Sequence, residues 1–299
     1  MTNRILDFAE SAAFVHLSDE LLVVRRQGEE TARIPVADIA VIIASHREVT
    51  MTQAAIAALA SAGGILVCCD EKHRPAGMLM PLAGHTTQAE RFRKQAEASE
   101  PVRKRIWQEL VRAKIQAQAA ALESARGEDG GLRALAARVR SGDAGNSESI
   151  AAQRYWPRLF DRSFRRGNEE DTRNHLLDYG YAILRAACCR AICASGLHPS
   201  LGVHHTNRYN CFALADDFME PCRPLIDRGV AGLCGDADAG SVTLDRTAKA
   251  ALIGAVLGRY RTGEESRTLF DILTRSAQEL ANRLTGESTG FRFPDIDAE

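Results

Sequence analysis

The chain of 299 residues is 45% hydrophobic and 26% charged, with a formal net charge of −1. These values are typical of a soluble globular protein of one large or two ordinary domains, and they exclude a disordered low-complexity chain. No apolar run approaches the roughly 20 residues that a membrane helix needs, so we predict no contact with a membrane.

Residues 1–82 have the pattern of a β-rich region. Short runs rich in Val, Ile and Leu alternate with Gly, Asp and Pro, which predicts strands separated by turns. One alanine-rich segment, Thr52–Ala62, is followed by two glycines and predicts a helix. The predicted strands are Arg4–Phe8, Leu21–Val24, Ile39–Ile43, Ile65–Cys69 and, after a turn at Asp70–Pro75, Gly77–Met80.

Helical periodicity dominates beyond Pro81–Gln88. Apolar residues recur at steps of three to five between Val102 and Leu122, which predicts one face of a long helix. The sequence therefore predicts an α+β fold, with a small β-rich domain (1–82), a linker (83–90) and a larger all-α domain (91–299). Further predicted helices are Leu132–Val139, a segment from Asn146 or Ser147 to about Phe160, His175–Ser195, Leu244–Tyr260 and Leu269–Leu284, followed by a loose tail at Phe291–Glu299.

The N-terminus and the cysteines indicate a cytoplasmic protein. The first 14 residues carry acids early and contain no long apolar run, so we expect no signal peptide. The eight cysteines include no Cys-x-x-Cys pair, and most lie in apolar segments. This usage predicts buried, reduced thiols rather than disulfides or a structural zinc site.

Positive charge is concentrated in residues 91–166. This segment has 17 Lys and Arg against 9 Asp and Glu, a net charge of +8 in a chain whose total is −1. A basic segment of this kind indicates either a surface that binds a polyanion such as DNA or a solvated helix face. Charge alone does not choose between the two interpretations.

Within this basic segment, Arg154, Arg158 and Arg162 are spaced four residues apart, and they could line one face of a helix as far as it extends. We expect some of these side chains to contact phosphates without reading bases. Tyr155 lies among the arginines and could approach a phosphate, whereas Trp107 and Trp156 are predicted to be core residues. The side chains predicted to contact a phosphate backbone are Arg154, Tyr155, Arg158, Arg162, Arg165 and Arg166.

The segment 196–227 carries the residues best suited to chemistry. His204 and His205 precede Asp216, Asp217 and Glu220, and imidazole with carboxylates is a donor set for a divalent metal ion. Asp217 and Glu220 are three residues apart and would share a helix face, which Pro221 and Pro224 would kink.

A third ligand has to come from another part of the chain. The best candidate is Glu148, at the start of a predicted helix. Each residue also has a simpler explanation: Glu148 could complement a helix dipole, and His205 could be a hydrogen-bonded histidine beside a turn.

The segment LHPSLGVHHTNRYNCFALADDFMEPCRP, together with the upstream helix NSESIAAQRYWPRLF, closely resembles the CRISPR-associated integrase family. The resemblance is to the universal adaptation nuclease in the variant encoded beside type II systems, and it covers essentially the whole chain. It implies a β domain that mediates dimerisation and a helical catalytic domain. The implied activity is metal-dependent DNA cleavage and strand transfer.

The resemblance also implies the ligands. The glutamate before the Tyr-Trp-Pro helix is Glu148, the histidine of the Leu-Gly-x-His-His segment is His205, and the acid before Pro-x-Arg-Pro is Glu220. Because the histidines are adjacent, spacing alone leaves His204 as an alternative. Asp217 would either support a ligand or replace one.

Bound Mg²⁺ or Mn²⁺ would orient a DNA 3′-hydroxyl for attack on a phosphodiester of the CRISPR repeat. The partners implied by the resemblance are double-stranded prespacer and repeat DNA, a second copy of the chain, and a small ferredoxin-like protein that bridges two dimers into a heterohexamer. A further implied partner is the type II effector complex. Two alternatives stay open at this point: a general metal-dependent nuclease for branched repair or recombination DNA, and a non-catalytic DNA-binding scaffold.

Overall fold

The computed structural model describes residues 3–71, 75–235 and 242–298. The described residues among the first 80 contain eight strands, one α-helix and a short 3₁₀ helix, which confirms the predicted β-rich region. Three strands were missed, namely β2, β4 and β6. β4 is largely exposed and rich in charge, so its hydrophobic signal is weak. The strands are β1 (Arg4–Phe8), β2 (Ala13–Ser18), β3 (Leu21–Arg26), β4 (Glu29–Pro35), β5 (Ile39–Ala44), β6 (Val49–Met51), β7 (Ile65–Cys69) and β8 (Pro75–Leu79).

These strands form two four-stranded sheets. One has the order β1-β5-β7-β8, with β1, β5 and β7 parallel, and the other has the order β4-β3-β2-β6. Between them lies a small core that contains Phe8, Val15, Leu22 and Ile39. Helix α1 (Gln53–Ser61) adds Leu59 to this core, and its first turn is capped by the Thr52 hydroxyl, which accepts a hydrogen bond from the Ala55 amide.

The rest of the chain is mainly helical, and its segments lie close to the predicted ones. α10 agrees at both ends, whereas α3 extends beyond the predicted face and α2 and α8 were not among the predicted helices. The helices are α2 (Gln88–Ala96), α3 (Glu100–Arg126), α4 (Leu132–Ala136), α5 (Ser147–Leu159), α6 (Thr172–Ala194), α7 (Ala213–Met219), α8 (Arg223–Cys234), α9 (Arg246–Leu257) and α10 (Leu269–Leu284).

Helix α6 joins the two regions. It is buried along most of its length and packs against the face of the β1-β5-β7 sheet that points away from the sandwich. Two polar contacts support this packing: Tyr179 donates a hydrogen bond to Asp7 Oδ2 (2.7 Å), and Arg190 donates one to the Gly63 carbonyl (3.2 Å). The catalytic region predicted from sequence is therefore anchored on the parallel strands.

Two predictions about the C-terminal region need correction. The region is not purely helical, because β9 (Arg259–Thr262) and β10 (Glu265–Thr268) form a hairpin between α9 and α10. The end of the chain is not loose either, because β11 (Asp297–Ala298) pairs with β9 and both Phe293 and Ile296 are buried. Burial of these two apolar side chains stabilises the end of the chain against the helices.

The predicted domain boundaries, with a linker at 83–90, stay a prediction. Much of the turn predicted at Asp70–Pro75 lies outside the described residues, since 72–74 are not among them. All eight cysteines are free thiols, and five of them are buried. Across the described ranges, no helix has both the length and the apolar character required to span a bilayer.

Candidate metal and DNA site

The ammonium group of Lys114, on α3, lies between two of the predicted ligands. It donates a hydrogen bond to Glu148 Oε1 at 2.6 Å and forms an ion pair with Glu220 Oε2 at 2.5 Å. The two carboxylates belong to different elements, because Glu148 lies in the first turn of α5 and Glu220 begins a short 3₁₀ turn between α7 and α8. The fold therefore brings together two acids that are 72 positions apart by their residue numbers.

Glu148 is held in place by a residue that the sequence analysis did not identify. Asp143 accepts hydrogen bonds from the backbone amides of Ser147 (2.8 Å) and Glu148 (3.0 Å), and it thereby caps the start of α5. Asn146 has a left-handed backbone and makes no side-chain cap. The sequence did carry a signal for this role, because Asp143 is an acidic residue in the turn just before the predicted helix.

His205 is oriented by Asp217, which is completely buried in α7. One carboxylate oxygen of Asp217 contacts His205 Nδ1, and the other accepts hydrogen bonds from the amides of Val203 (2.7 Å) and His204 (2.9 Å). Because Nδ1 is engaged, Nε2 is the nitrogen left for a ligand, which is the usual arrangement of a metal-binding histidine and its supporting carboxylate. The hydrogen bond that His205 Nδ1 donates to Asp217 raises the pKa of His205, and the nearby charges of Asp217, Glu220 and Glu148 add to that shift against the opposing effect of burial.

The loop that carries the histidines requires a glycine at position 202. A Cβ atom there would lie 2.5 Å from the His205 carbonyl oxygen and 3.1 Å from Asp217 Oδ2. Any larger residue would push the loop away from Asp217 and so disturb His205. This close approach explains the glycine of the Leu-Gly-x-His-His segment.

The two adjacent histidines have different surroundings. The ring of His204 stacks on Trp107, with centroids 4.1 Å apart and planes within 1° of parallel. Trp107 is itself buried, which confirms its prediction as a core residue. In this arrangement, His204 covers the edge of the core, whereas His205 is the histidine held by Asp217.

Glu220 is buried but remains ionised, because cationic groups flank it on both sides. Burial alone would raise its pKa, but Lys114 and Arg223 more than offset that effect and hold the pKa below its ordinary value. Arg223 lies 3.0 Å from Glu220 Oε1, opposite the oxygen that faces Lys114. Burial would likewise lower the pKa of Lys114, but Glu220 and Glu148 keep that pKa above its ordinary value.

The chemistry of these donors suits a hard divalent cation, although their present geometry does not complete a metal site. Among the side chains the structure describes, no group of three His, Cys, Asp or Glu lies in metal-binding geometry. The oxygens of Glu148 and Glu220 that touch Lys114 can be no more than 5.1 Å apart, the sum of their distances to Nζ. Oxygens on opposite sides of Mg²⁺ lie about 4 Å apart, which is within that upper limit. The metal set of Glu148, His205 and Glu220 therefore stays a prediction.

The predicted DNA-contacting residues fall into two groups. Arg154 and Arg158 lie one turn apart on the exposed part of α5, where the Arg158 guanidinium donates a hydrogen bond to the Arg154 carbonyl (2.9 Å). α5 ends at Leu159, so the other arginines lie in the following loop and do not continue the helix face. Of these, Arg166 already binds Asn174 and Asp178, while Arg162 and Arg165 are exposed.

The proposed role of Tyr155 in DNA contact is contradicted by its position. Its side chain is completely buried, and its hydroxyl donates a hydrogen bond to Asp227 Oδ2 (3.1 Å). Tyr181 donates to the other oxygen of Asp227. The seven-residue spacing from Glu148 does place Tyr155 on the same helix face, but beyond the first turn that face packs into the core.

Comparison with known proteins agrees with the family resemblance. The family described as "CRISPR associated protein Cas1" matches residues 8–255. The chain is similar to the CRISPR-associated endonuclease Cas1 of Neisseria meningitidis serogroup C (strain 8013), with 42% identity over 229 residues that cover 76% of this chain and 74% of the relative. It is also similar to a CRISPR-associated endonuclease Cas1 of Pyrobaculum aerophilum, with 27% identity over 92% of this chain and 97% of the relative.

Solved structures share the fold. A casposase bound to an integration product superposes with a TM-score of 0.78 and 20% identity, covering 98% of this chain and 93% of that one. A Cas1 protein from Thermotoga maritima gives a TM-score of 0.74 with 16% identity, covering 97% and 99% of the two chains. The chain thus has the fold shared by a Cas1 protein and a casposase.

The family match over most of the chain is more specific than the fold. The chain belongs to the Cas1 family of CRISPR-associated proteins. The family resemblance read from the two motif segments is therefore confirmed.

Proposed function

We propose that this chain is a metal-dependent DNA endonuclease and integrase that inserts new spacer DNA into a CRISPR array. Membership of the Cas1 family supports the assignment, and relatives that are named endonucleases support the nuclease activity. One observation carries the proposed site. Glu148 and Glu220, from separate elements, converge on a single cationic group, and Asp217, three residues before Glu220, holds the imidazole of His205.

In this proposal Glu148, His205 and Glu220 hold Mg²⁺ or Mn²⁺. The cation would polarise the phosphodiester and favour in-line attack by a DNA 3′-hydroxyl, or by water when no DNA end is bound. The protein orients these ligands: Asp143 fixes the start of α5, where Glu148 lies, and Asp217 holds the imidazole of His205. The histidine nitrogen in the set suits Mn²⁺ better than a site built of oxygens alone would.

The proposed substrate is double-stranded DNA, both as prespacer and as CRISPR repeat. Exposed Arg154 and Arg158 would bind phosphates beside the start of α5, and the loop residues Arg162 and Arg165 would extend that contact. A solved Cas1 chain with the same fold has been crystallised with DNA, and another similar chain is part of a Cas6-RT-Cas1–Cas2 complex. We propose a homodimer for this chain, joined by a small ferredoxin-like partner into a heterohexamer, with the type II effector complex as a further partner.

The test is an integration assay with a supercoiled plasmid that carries the repeat array, short duplex DNA and Mn²⁺. We expect His205→Ala to abolish strand transfer while duplex DNA still binds, because the arginines are untouched. His204→Ala is the matched control and should keep measurable strand transfer, since His204 stacks on Trp107.

The same assay, extended to branched DNA and to a range of Mn²⁺ concentrations, separates the competing functions. Strand transfer by folded His205→Ala at the level of the unaltered protein would refute the proposed site. Cleavage of branched DNA without integration into the array would favour a general nuclease. Metal-independent DNA binding, with no cleavage at any Mn²⁺ concentration, would favour a scaffold.

A further inference from the structure

Lys114 has a place in the site that the metal-ligand assignment does not explain. Its stem rises from the long helix α3, and its Nζ contacts one carboxylate from α5 and another from the turn before α8. The side chain is 14% exposed, so the ammonium group has exchanged most of its water for these two acids. A surface ion pair of the same helix, Lys104 with Glu100, is by contrast more than half exposed.

The two carboxylates need a cation between them. Their facing oxygens are at most 5.1 Å apart, and the Glu220 side chain is 7% exposed, so water screens their mutual repulsion poorly. Arg223 neutralises Glu220 from the other side but contacts its far oxygen. Lys114 is therefore the group whose positive charge lies between the two carboxylates and offsets their mutual repulsion.

A metal ion would need the same place. Carboxylate oxygens bind Mg²⁺ at about 2.0–2.1 Å, so an ion that bridges Glu148 and Glu220 would occupy the position of Nζ. A lysine suits a temporary role there, because its charge is compact and its four-carbon stem is flexible. An arginine would hold both carboxylates through several fixed hydrogen bonds and would be harder to displace.

We propose that Lys114 is a positioning residue that acts as an internal counter-cation: it holds Glu148 and Glu220 together in the metal-free protein and is displaced when a divalent cation binds. This inference rests on the proposed metal site. Its consequence is that metal binding has to compete with an ion pair inside the protein. The bound ion would then be readily exchanged, and the metal-free site would keep its shape.

The first test measures Mn²⁺ binding calorimetrically to the full-length protein, to Lys114→Met and to the matched control Lys104→Met. Methionine matches the apolar stem of lysine as far as Cε but lacks the ammonium group. We expect Lys114→Met to bind Mn²⁺ about tenfold more tightly or better, since the competing cation is gone and the acids are left without a partner. The metal-free melting temperature of this variant should fall, and Mn²⁺ should raise it by more than in the unaltered protein. Lys104→Met should match the unaltered protein in both measurements.

The outcomes separate this inference from the proposed function. If the unaltered protein binds Mn²⁺ and a folded Lys114→Met binds it equally or more weakly, Lys114 is not a competitor and the inference fails alone. If no variant binds Mn²⁺ or Mg²⁺, the proposed function fails and the inference fails with it.

A second test needs no variant and therefore holds even if Lys114→Met does not fold. The unaltered protein is treated briefly with an amine-acylating reagent, with and without Mn²⁺, and each lysine is quantified by mass spectrometry. Displacement predicts that modification of Lys114 rises severalfold on addition of Mn²⁺, while that of Lys104 stays constant. Unchanged or reduced modification of Lys114, under conditions in which calorimetry shows binding, would overturn the proposal.

Discussion

Two buried carboxyl groups of this protein, Glu220 and Asp227, lie seven residues apart and have pKa values shifted in opposite directions. Both are almost completely buried. Glu220 lies between Lys114 and Arg223, and its pKa is lowered; Asp227 is bound by the hydroxyls of Tyr155 and Tyr181, and burial raises its pKa to about 7. The comparison teaches that the identity of the partners, rather than depth, decides whether an acid stays ionised and available to a cation.

The largest expected effect is on the pH dependence of stability and comes from Asp227. Its folded pKa of about 7 lies above its ordinary value of 3.8, so the folded protein retains this proton more strongly than the unfolded chain does. The contribution of Asp227 to the free energy of unfolding should therefore be greatest below about pH 4. It should fall as pH rises to about 7, by about 4 kcal/mol in total. Asp227→Asn should remove that dependence.

Urea unfolding of the unaltered protein and of Asp227→Asn at several pH values checks this prediction. The difference between the two proteins isolates Asp227 from Lys114, Arg223 and the other groups that share its surroundings. A difference that does not change between pH 4 and pH 8 would show that Asp227 titrates normally.

The next effect concerns activity and contrasts the two acids directly. Glu220→Ala should lower strand transfer by about 100-fold or more, because loss of a supporting partner alone reduces metal-site activity by 10- to 100-fold. Asp227→Asn should retain strand transfer, since its amide can still accept and donate hydrogen bonds beside the tyrosines. The rate of plasmid integration is measured for both variants. Equal losses in Glu220→Ala and Asp227→Asn would show that the two acids do not differ in their importance for strand transfer.

A third carboxylate, Asp217, sharpens the comparison because it is buried and acts through a histidine. Asp217→Asn should reduce Mn²⁺ affinity about 10- to 100-fold, since the amide holds His205 less firmly and in a less favourable tautomer. Calorimetric titration with Mn²⁺ measures the change. An affinity equal to that of the unaltered protein would mean that His205 does not need this support.

The smallest effect tests the corrected position of Tyr155. Tyr155→Phe removes one hydrogen bond to Asp227 but keeps the buried ring, so it should cost about 1 kcal/mol of stability. Duplex DNA affinity, measured by fluorescence anisotropy, should be unchanged because the hydroxyl lies in the core. A marked loss of affinity in the folded variant would show that the Tyr155 hydroxyl contributes to DNA binding after all.

The sequence predicted elements well where the local pattern was strong. α10 was predicted at both ends because its apolar face is regular, and β5 was predicted because its run of aliphatic residues is continuous. β4 was missed because an exposed strand with charged residues carries little hydrophobic signal. The end of the chain was misread as loose because the burial of Phe293 and Ile296 depends on distant helices.

The site was predictable only in part, and the reason lies in its contacts. Glu148, His205 and Glu220 were found through motif resemblance, which supplies residue identity but no distances. Lys114 gave no local signal because its partner Glu148 is 34 residues away and belongs to another helix. Spacing placed Tyr155 on the same face as Glu148, but helical periodicity does not reveal which turns of a face are covered by other helices.

The central strand β5 has a consequence for how this fold tolerates mutation. Its first five residues, Ile39–Ile43, are all buried: Ile39 and Ile42 point into the sandwich, whereas Val41 and Ile43 pack toward the helices. A polar residue on one side would loosen the sandwich, and one on the other would loosen the support beneath α6. In a saturation-mutagenesis screen this strand should therefore show five consecutive positions that do not tolerate polar substitution. A strand with one solvent-exposed face would instead show intolerance at every second residue.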